Sequence, residues 1–543
     1  MNWKSILQFQ CVGVVMALAV IVAIPVGYAA AREMQCDSDH VVVPTDEGPV
    51  MGLRTMTMNE FLGIPYAAPP VGALRWKPPQ PPAGWHGLLD ATKFANHCPQ
   101  VASYFGVAST TEDCLYLNVY TPADHECLWG DDHNGHPVMV WIHGGALVVG
   151  ESDDYDPSKL VAENVIVVTF NYRLGFLGFL AHPALAAETN YGGSGDYGFM
   201  DQQAALEWVR RNIKYFGGNP DRVTIFGESA GGLSVHTQLA SPGAEGLFQG
   251  AIVESGAYFL TTTPLALAEA AGTQAAIAMG CSDQSAKCLR SLPVGTLLAY
   301  AGSDLTGNVD GKVLTQPIDT ALLSGQFNQV PVMEGSNHDE WRLFVADDFE
   351  LPTGIPTSSA NYSAWVDASF GNALPAGILD YVVDVLYPPT SPNPPAPSIA
   401  LGAVGTDGIF ACNSRSAIRQ MAKFVPVFAY EFNDQNAPEL FLPPDTVSGM
   451  PYGAAHASEI QYLFNLPASA LNPLNADQQK LSRDMTGYWT NFARFSNPNS
   501  FFTPYWPPYN SNADQFQSLI PPHPRTESTF CTNHKCGFWA PGS

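Results

Sequence analysis

The residues of this chain with the clearest chemistry form a G-x-S-x-G motif around Ser229. The motif reads Phe-Gly-Glu-Ser-Ala-Gly over residues 226–231. Residues 221–226 are largely β-branched and apolar, as a buried parallel strand should be, and residues 230–235 can open a helix. A turn between such a strand and helix exposes the serine hydroxyl beside a helix N-terminus, which favours negative charge. The pattern therefore predicts that Ser229 is a nucleophile.

A serine hydroxyl is a weak nucleophile that needs a histidine as base and an acid to orient that histidine. With this motif, the acid and then the histidine follow the serine along the chain. Three acids at or after the strand-like run at 330–333 stay open as candidates: Glu334, Asp339 and Glu340. The downstream histidines considered are His338, His456, His523 and His534. We favour His456 as the base, because its run of small neighbours allows close approach.

Hydrolysis of an ester also needs N–H donors aimed at the oxygen that becomes negative in the transition state. Residues 141–146, Trp-Ile-His-Gly-Gly-Ala, follow a strand-like run and match the HGG-type loop that supplies such donors. Glycines free the backbone of this loop to point its N–H groups at one spot, and the N–H of Ala230, just after the nucleophile, completes the set.

Strands and helices that alternate along the chain must position these residues. Strand-like runs occur at residues 138–142, 165–172, 223–226, 251–253, 330–333 and 425–432. Helical stretches lie between them, which is typical of an α/β fold with a mostly parallel sheet. One helix is predicted to be capped by Asp201 and to end at Gly217, because glycine adopts left-handed backbone.

The domain organisation follows from where the candidate acid and base lie. A proline-rich run at residues 388–398 is either a domain linker or a long surface loop. We favour the loop, because the acids and His456 lie on opposite sides of it. Residues 32–543 are therefore predicted to form a single domain.

The N-terminus has the pattern of a secretory signal peptide over residues 1–31. Lys4 supplies positive charge, residues 11–26 are almost wholly apolar, and residues 29–31 are alanines that suit cleavage. A retained membrane anchor is the alternative, because the apolar run is close to the length that spans a bilayer. We expect a secreted or periplasmic protein without stable membrane insertion after the signal is removed.

Composition indicates an acidic globular protein. The 543 residues carry a net charge of −26, which becomes −27 when residues 1–31 leave with Lys4, their one charged residue. Such acidity keeps a protein soluble and repels nucleic acid and anionic membranes. We therefore expect no nucleic-acid partner, and the oligomeric state is not predictable.

Ten cysteines fall to nine when Cys11 leaves with the signal. Export makes disulfides plausible, and an odd number leaves at least one thiol free or paired between chains. Two predicted pairs each close a short loop: Cys98 with Cys114, and Cys281 with Cys288. Cys412, Cys531 and Cys536 are expected to supply a third bridge of open pairing, and Cys36 and Cys127 are unassigned. Buried free thiols are the alternative, and no Cys/His cluster has zinc spacing.

At this point the chain resembles the type B carboxylesterases, the cholinesterase-like branch of the α/β-hydrolases. The resemblance covers about residues 41–539 and rests on several linked motifs. These are Phe61-Leu62-Gly63-Ile64-Pro65-Tyr66-Ala67 with Arg75-Trp76, Glu112-Asp113-Cys114-Leu115-Tyr116-Leu117-Asn118-Val119, Asn171-Tyr172-Arg173-Leu174-Gly175, Asp201-Gln202, and Gly227-Glu228-Ser229-Ala230-Gly231-Gly232. It implies an α/β-hydrolase fold, a mostly parallel central sheet flanked by helices. The closing Cys-Gly-Phe-Trp at residues 536–539 is similar to that of secreted bacterial members.

The resemblance implies roles for individual residues. Glu340 would be the acid and His456 the base. Gly145, Ala146 and Ala230 would donate to the oxyanion, with Gly144 shaping the loop. Supporting groups, salt bridges and one disulfide are implied as follows: Glu228 and Ser255 behind the site, Arg75 with Glu112, Arg173 with Asp201, and Cys98 with Cys114.

Two departures from the family bear on specificity. The loop from Pro99 to Asp113 is short and lacks the tryptophan that holds the choline cation in cholinesterases, which argues against choline esters. Ala146 stands where many relatives have a third glycine. Candidate pocket-wall residues, each with ordinary core as the alternative, are Tyr104, Phe105, Trp341, Phe344 and Tyr462.

The sequence therefore predicts an exported serine carboxylesterase that works through an acyl-enzyme on a small-molecule ester, with no metal or organic cofactor. The alternatives are a non-catalytic relative used in binding or adhesion, and an esterase specialised for a toxin ester, a polyester or a choline ester.

Overall fold

The computed structural model of the protein describes residues 39–123, 135–300, 306–372, 374–443 and 446–541. The predicted signal peptide, Cys36 and Cys127 lie outside these residues. Within the described ranges, no helix is both long and apolar enough to cross a bilayer.

The strands, in chain order, are β1 His40–Val43, β2 Val50–Arg54, β3 Met58–Pro65, β4 Leu89–Asp90, β5 Tyr116–Pro122, β6 His136–Ile142, β7 Ile166–Phe170, β8 Gly218–Glu228, β9 Gly250–Glu254, β10 Thr263–Pro264, β11 Asn308–Val309, β12 Val332–Asn337, β13 Val427–Phe432, β14 Phe516–Leu519 and β15 Arg525–Glu527. The central sheet has the order β1-β2-β3-β5-β7-β6-β8-β9-β12-β13-β14-β15, with β4 beside β2, and β10 pairs with β11 apart from it. From β7 to β14 neighbouring strands run parallel. The other pairs of this sheet run antiparallel, except β2 with β4, which is parallel. The predicted α/β fold with a mostly parallel sheet is confirmed.

The α-helices are Ser158–Val161, Gly175–Phe179, Pro183–Ala186, Tyr197–Asn212, Ala230–Ala240, Leu265–Ala278, Ala286–Ser291, Val294–Ala299, Ile318–Ser324, Trp341–Phe344, Leu351–Thr353, Tyr362–Ser369, Ala376–Tyr381, Ala396–Gly405, Cys412–Met421, Ile460–Leu463, Ala476–Phe495, Phe530–Asn533 and Cys536–Trp539. Shorter 3-10 turns are Gly72–Leu74, Ile213–Phe216, Pro242–Ala244 and Pro467–Ala470. Wider π turns are Val345–Glu350, Val382–Leu386 and Thr406–Ala411.

Helices cover both faces of the sheet, as the pattern of β6 requires. Because successive side chains of a strand point to opposite faces, Val140 and Ile142 enter one core while Met139 and Trp141 enter the other. All four side chains are fully buried. A strand buried on both faces reads as a continuous apolar run, which is why its sequence does not alternate with polar residues.

The helix that precedes β8 begins earlier than predicted. It spans Tyr197–Asn212 with Asp196 at its N-cap position, so the prediction that Asp201 caps it was wrong. Asp201 lies inside the helix and pairs with the buried Arg173 at 2.7 Å, and this need for a buried counter-charge outweighs the capping preference. The predicted stop is confirmed, since Gly217 has a φ of 84°.

Among the cysteines that the structure describes there are three disulfides: Cys98–Cys114, Cys281–Cys288 and Cys412–Cys536. The sequence left the third pairing open, and here Cys536 is the partner of Cys412. Cys531 is half-buried and forms no disulfide with another cysteine of the described ranges. The Cys412–Cys536 bond attaches the C-terminal segment to the helix Cys412–Met421.

His534 in this C-terminal segment lies buried between two carboxylates. Its Nδ1 is 2.6 Å from Asp407 Oδ1 and its Nε2 is 2.7 Å from Glu431 Oε1. Burial alone would lower the pKa of the imidazole, but hydrogen bonds to the two carboxylates and their charges raise the pKa of His534 to about 10. A charged imidazolium therefore holds this segment in addition to the disulfide.

We expect that replacing His534 with glutamine lowers the free energy of unfolding near neutral pH by about 3 kcal/mol, because two buried carboxylates lose their cation. The folded-state pKa of about 10 exceeds the unfolded value of about 6.5. The stabilisation is therefore complete below the unfolded pKa and is lost as the pH rises through the folded pKa. Denaturant titrations of both proteins should show their difference shrinking over this window; a constant difference would contradict the imidazolium.

Candidate active site

Ser229 occupies a strained turn between β8 and the helix Ala230–Ala240. Its φ of 56° and ψ of −122° lie outside the regions that residues with a side chain prefer. The turn is held from both sides, since Ser229 N–H donates to Glu254 O at 2.9 Å and Leu233 N–H donates to Ser229 O at 2.8 Å. The side chain stays partly accessible, and its hydroxyl interacts with the phenol of Tyr258. This is the geometry that a G-x-S-x-G motif predicts.

The glycine that ends the motif is required by sterics. A Cβ built on Gly231 would lie 1.9 Å from the carbonyl oxygen of Ile142 in β6. The first turn of the helix can therefore approach the neighbouring strand only where no side chain intervenes.

We expect that Gly231→Ala lowers the free energy of unfolding by about 1–3 kcal/mol or more, because backbone must move to admit the methyl group. Gly295 is a matched control, since it lies in the helix Val294–Ala299 with no heavy atom within 4 Å of an added Cβ. Gly295→Ala should leave stability unchanged or raise it slightly. Denaturant unfolding of the two variants measures the contrast, and equal stabilities would show that the close approach to Ile142 is not required.

Glu340 and His456 meet although they lie on separate loops. Glu340 follows β12 and His456 lies in the loop before the helix Ile460–Leu463. His456 Nδ1 is 2.5 Å from Glu340 Oε2, and Glu340 Oε1 accepts the N–H of Asn337 at 2.7 Å. Both side chains are buried, and the carboxylate fixes which ring nitrogen carries the proton.

The other two candidate acids have different partners. Asp339 accepts the N–H of Ala454 at 3.0 Å and pairs with Arg342 at 2.7 Å, so it joins the two loops without contacting the imidazole. Glu334 lies in the sheet and faces His236 at 3.3 Å.

The second ring nitrogen of His456 faces Glu228, the residue before Ser229. Its Nε2 lies 3.2 Å from Glu228 Oε1, but the two atoms are not aligned for a hydrogen bond, and Nε2 has no hydrogen-bond partner among the residues described. A bond from Ser229 Oγ to Nε2 is thus not formed in this structure. Such bonds are often loose before substrate binds. Nε2 therefore lies close to Glu228, the residue that directly precedes Ser229.

The loop after β6 presents N–H groups beside the nucleophile. Gly145 has a φ of 97° and Ala146 a φ of 54°, so both residues are left-handed. Within the described chain, no group accepts a hydrogen bond from the N–H of Gly145, Ala146 or Ala230. Gly144 packs against the turn, since a Cβ there would lie 3.2 Å from the Cβ of Ser229. These free donors can act on an oxyanion.

Gln100 fixes the far end of this loop, which sequence reasoning missed. It lies two residues after Cys98 in the disulfide loop. Its amide donates to Gly150 O at 3.1 Å and accepts the Gly150 N–H at 2.8 Å. The pair of hydrogen bonds ties the loop closed by Cys98–Cys114 to the loop that carries Gly145 and Ala146.

Several more carboxylates are buried around the imidazole. Burial raises the pKa of Glu228 well above its ordinary value, and the charges of Glu340 and Glu254 raise it further. Burial raises the pKa of Glu254 to about 8, opposed by a hydrogen bond from Trp489. Burial also raises the pKa of Glu459 well above its ordinary value, and the charges of the neighbouring carboxylates raise it further. Glu228 and Glu459 therefore favour the neutral form.

The structure also places Ser255, which was predicted to support the site, and the five candidate pocket-wall residues. Ser255 has a φ of 51°, and its N–H donates to Gly335 O at 2.9 Å. Its buried hydroxyl has no hydrogen-bond partner in the part of the chain that the structure describes. Phe344 contacts the His456 ring with 5.1 Å between ring centroids. Trp341 stacks on Phe344. The other three candidates make no such contact with His456: Phe105 stacks on Phe441, Tyr104 is largely exposed, and Tyr462 is buried in the core and donates to Asp434.

Tyr258 and Phe410 complete an aromatic wall with Phe344, and sequence reasoning missed both. Phe410 lies 5.0 Å from the His456 ring and 5.2 Å from Tyr258, centroid to centroid. Tyr258 follows the carboxyl end of β9, where residues of parallel sheets commonly line a site, so its position was a usable signal. Phe410 lies in the turn Thr406–Ala411, and its sequence neighbourhood carries no comparable signal.

Comparisons with known proteins identify the family of this chain. The sequence profile of the carboxylesterase family matches residues 39–539. Over 493 residues the chain is 36% identical to an acylcarnitine hydrolase of Mus musculus, covering 86% of this chain and 84% of that protein.

The chain belongs to the carboxylesterase family.

Two further relatives lie at similar distance. A cocaine esterase of Homo sapiens is 33% identical over 543 residues, 93% of this chain and 91% of that protein. A para-nitrobenzyl esterase of Bacillus subtilis is 34% identical over 498 residues, which cover 87% of this chain and 93% of that protein. The carboxylesterase described here is thus an α/β-hydrolase and a carboxylic ester hydrolase that acts on small-molecule esters.

Proposed function

We propose that this carboxylesterase hydrolyses its esters through an acyl-enzyme, with Ser229 as nucleophile, His456 as base and Glu340 as the acid that orients His456. The observation that carries the proposal is the Glu340–His456 hydrogen bond beside the strained turn of Ser229. The same three residue types serve acyl transfer wherever they meet in this order.

The reaction proceeds in two halves. Ser229 Oγ attacks the ester carbonyl as His456 Nε2 takes its proton, and the N–H groups of Gly145, Ala146 and Ala230 stabilise the oxyanion. The C–O bond to the alcohol then breaks, and His456 returns the proton to the departing alcohol. Water attacks the acyl-enzyme by the same route, releasing the carboxylic acid and restoring Ser229.

A fluorophosphonate probe tests this proposal directly, because it reacts with an activated serine and becomes bonded to its oxygen. Mass spectrometry of the digested protein should find the probe on the peptide that contains Ser229, with loss of ester hydrolysis in proportion. An unlabelled protein, or a label on another residue, would remove Ser229 from this role and favour a non-catalytic binding protein or a different nucleophile.

We also propose that the enzyme is exported and folds as one domain after residues 1–31 are removed. The three disulfides support an oxidising compartment. The N-terminal sequence of the protein recovered outside the cytoplasm checks this, since a chain that still begins at Met1 would contradict cleavage.

The aromatic wall of Tyr258, Phe344 and Phe410 favours esters with an apolar acyl or alcohol group, since it buries apolar surface beside Ser229. The names of the relatives differ too widely to select one substrate. Steady-state kinetics over p-nitrophenyl esters of increasing acyl length should show kcat/KM rising from acetate to butyrate; a fall would contradict an apolar pocket.

A further inference from the structure

A second buried polar cluster lies away from the active site, between the start of the helix Tyr197–Asn212 and β11. Its members are Tyr191, Asp196, Tyr197, Asn308 and Asp310. Asp196, Asn308 and Asp310 expose 0%, 1% and 2% of their surface. The mechanism proposed above uses none of these side chains.

Hydrogen bonds occupy only part of this cluster. Asp196 Oδ1 accepts the backbone N–H of Asn308 at 3.0 Å, and the Asn308 amide group donates to Ser194 O at 2.9 Å. Asp310 Oδ1 accepts the N–H groups of Lys312, Val313 and Leu314. One oxygen of each carboxylate is therefore fully engaged by the backbone.

The remaining oxygens of the cluster are buried without a partner. They are Asp196 Oδ2, Asp310 Oδ2, Asn308 Oδ1, and the hydroxyls of Tyr191 and Tyr197, and none has a hydrogen-bond partner within the described parts of the chain. The three residues Asp196, Asn308 and Asp310 lie close together, because Asp196 accepts the N–H of Asn308 at 3.0 Å and the N–H of Asp310 donates to Asn308 O at 2.9 Å. The loops that carry them are pressed together, since a Cβ on Gly193 would lie 1.9 Å from Asp310 O.

Among the described residues, no ion pair joins Asp196 or Asp310 to a cation. The guanidinium of Arg173 lies over the Tyr197 ring, but it is engaged by Asp201. Two buried carboxylates must be neutralised by a proton or by a cation. A shared proton would join two of these oxygens by a hydrogen bond, yet none of them is bonded to another. Oxygens that ligate an ion are instead held apart from one another around it.

We propose that Asp196, Asn308 and Asp310 bind a Ca²⁺ ion, with the hydroxyls of Tyr191 and Tyr197 or water completing its shell. The donors are all oxygens, two of them carboxylate and one amide, which is the set that Ca²⁺ prefers and that suits zinc poorly. The ion joins the loop before the helix Tyr197–Asn212 to the segment 308–314. That helix carries Gln202, which donates to Ser234 on the helix after the nucleophile at 2.9 Å. Calcium therefore stabilises the scaffold behind Ser229.

The test uses the full chain after treatment with EGTA and dialysis. Elemental analysis after re-equilibration with CaCl₂ should find about one calcium per chain, and CaCl₂ should raise the thermal midpoint more than MgCl₂ does. Asp196→Asn should abolish that calcium-dependent shift. The exposed Asp380 is the matched control, and Asp380→Asn should keep the full shift.

Each result decides the proposal. No calcium in the re-equilibrated wild-type protein and no shift of its midpoint would mean that protons or buried water neutralise the cluster, and the proposal would fail even if Asp196→Asn could not be purified. The same calcium shift in Asp196→Asn and in the wild type would place calcium elsewhere. Esterase activity enters neither readout, so the outcome is independent of the function proposed for Ser229.

Discussion

Replacing Ser229 with alanine is expected to lower kcat for p-nitrophenyl butyrate by about 10⁵- to 10⁶-fold, because loss of the nucleophile removes the covalent pathway. The residual activity should be the small rate acceleration over the uncatalysed reaction in water that the N–H donors and substrate binding supply. Steady-state kinetics at saturating substrate measure the change, with the KM of the variant serving to show that substrate still binds.

The fold should survive this change, since alanine meets the same backbone strain as serine at a φ of 56°. The free energy of unfolding should stay within about 0.5 kcal/mol of the wild type. Ser324 is exposed on the helix Ile318–Ser324 and provides a matched control, since Ser324→Ala should keep full activity. A Ser229→Ala protein that is folded and retains a substantial part of the wild-type kcat would rule out the acyl-enzyme at this position.

The nucleophile turn could be predicted from sequence because its determinants are local. A strand, a strained serine and a helix follow one another within residues 221–240. The position that has no room for a side chain is occupied by a glycine, Gly231, which the sequence shows directly. The parallel strands could be predicted for the same reason, since an apolar run such as β6 records burial on both faces.

The partners of the nucleophile depend on contacts between distant segments, which local patterns do not record. Glu340 and His456 are 116 residues apart, and the residues alone left Glu334 and Asp339 equally open. The choice follows from how the loop after β12 meets the loop before His456. The prediction that Asp201 caps a helix failed for the same reason, because its true partner is Arg173, 28 residues away.

The buried carboxyl groups near His456 also depend on contacts between distant segments. Glu228, Glu254 and Glu459 are buried with Glu340 in one region. Burial raises the pKa of Glu228 and of Glu459, and the charges of neighbouring carboxylates raise it further. Glu340 accepts hydrogen bonds from both Asn337 N–H and His456. The hydrogen bonds of Glu340 thus depend on where two separate segments place Asn337 and His456, which local sequence patterns do not record.

Glu340→Gln is expected to lower kcat/KM by about 10³- to 10⁴-fold while changing the shape of the site little. The amide oxygen can still accept the N–H of Asn337, but the amide nitrogen then faces His456 Nδ1 as a donor. Nδ1 must become the acceptor, so the ring proton moves to Nε2, and that nitrogen can no longer take the proton of Ser229. The loss should fall on kcat, with KM changed much less, because the substrate does not touch Glu340.

Glu334→Gln is the matched control, because it removes a buried carboxylate that does not contact His456. Glu334 is equally buried and was an equal candidate, but its contacts are with His236 and Ser414. Its replacement should cost stability by weakening a buried pair and leave kcat/KM within about tenfold of the wild type, since it does not reach His456. Asp339→Asn should also spare Nδ1, because Asp339 acts on the Ala454 backbone. If Glu334→Gln or Asp339→Asn abolished activity while Glu340→Gln retained it, the hydrogen bond seen between Glu340 and His456 would not be the one that orients the base.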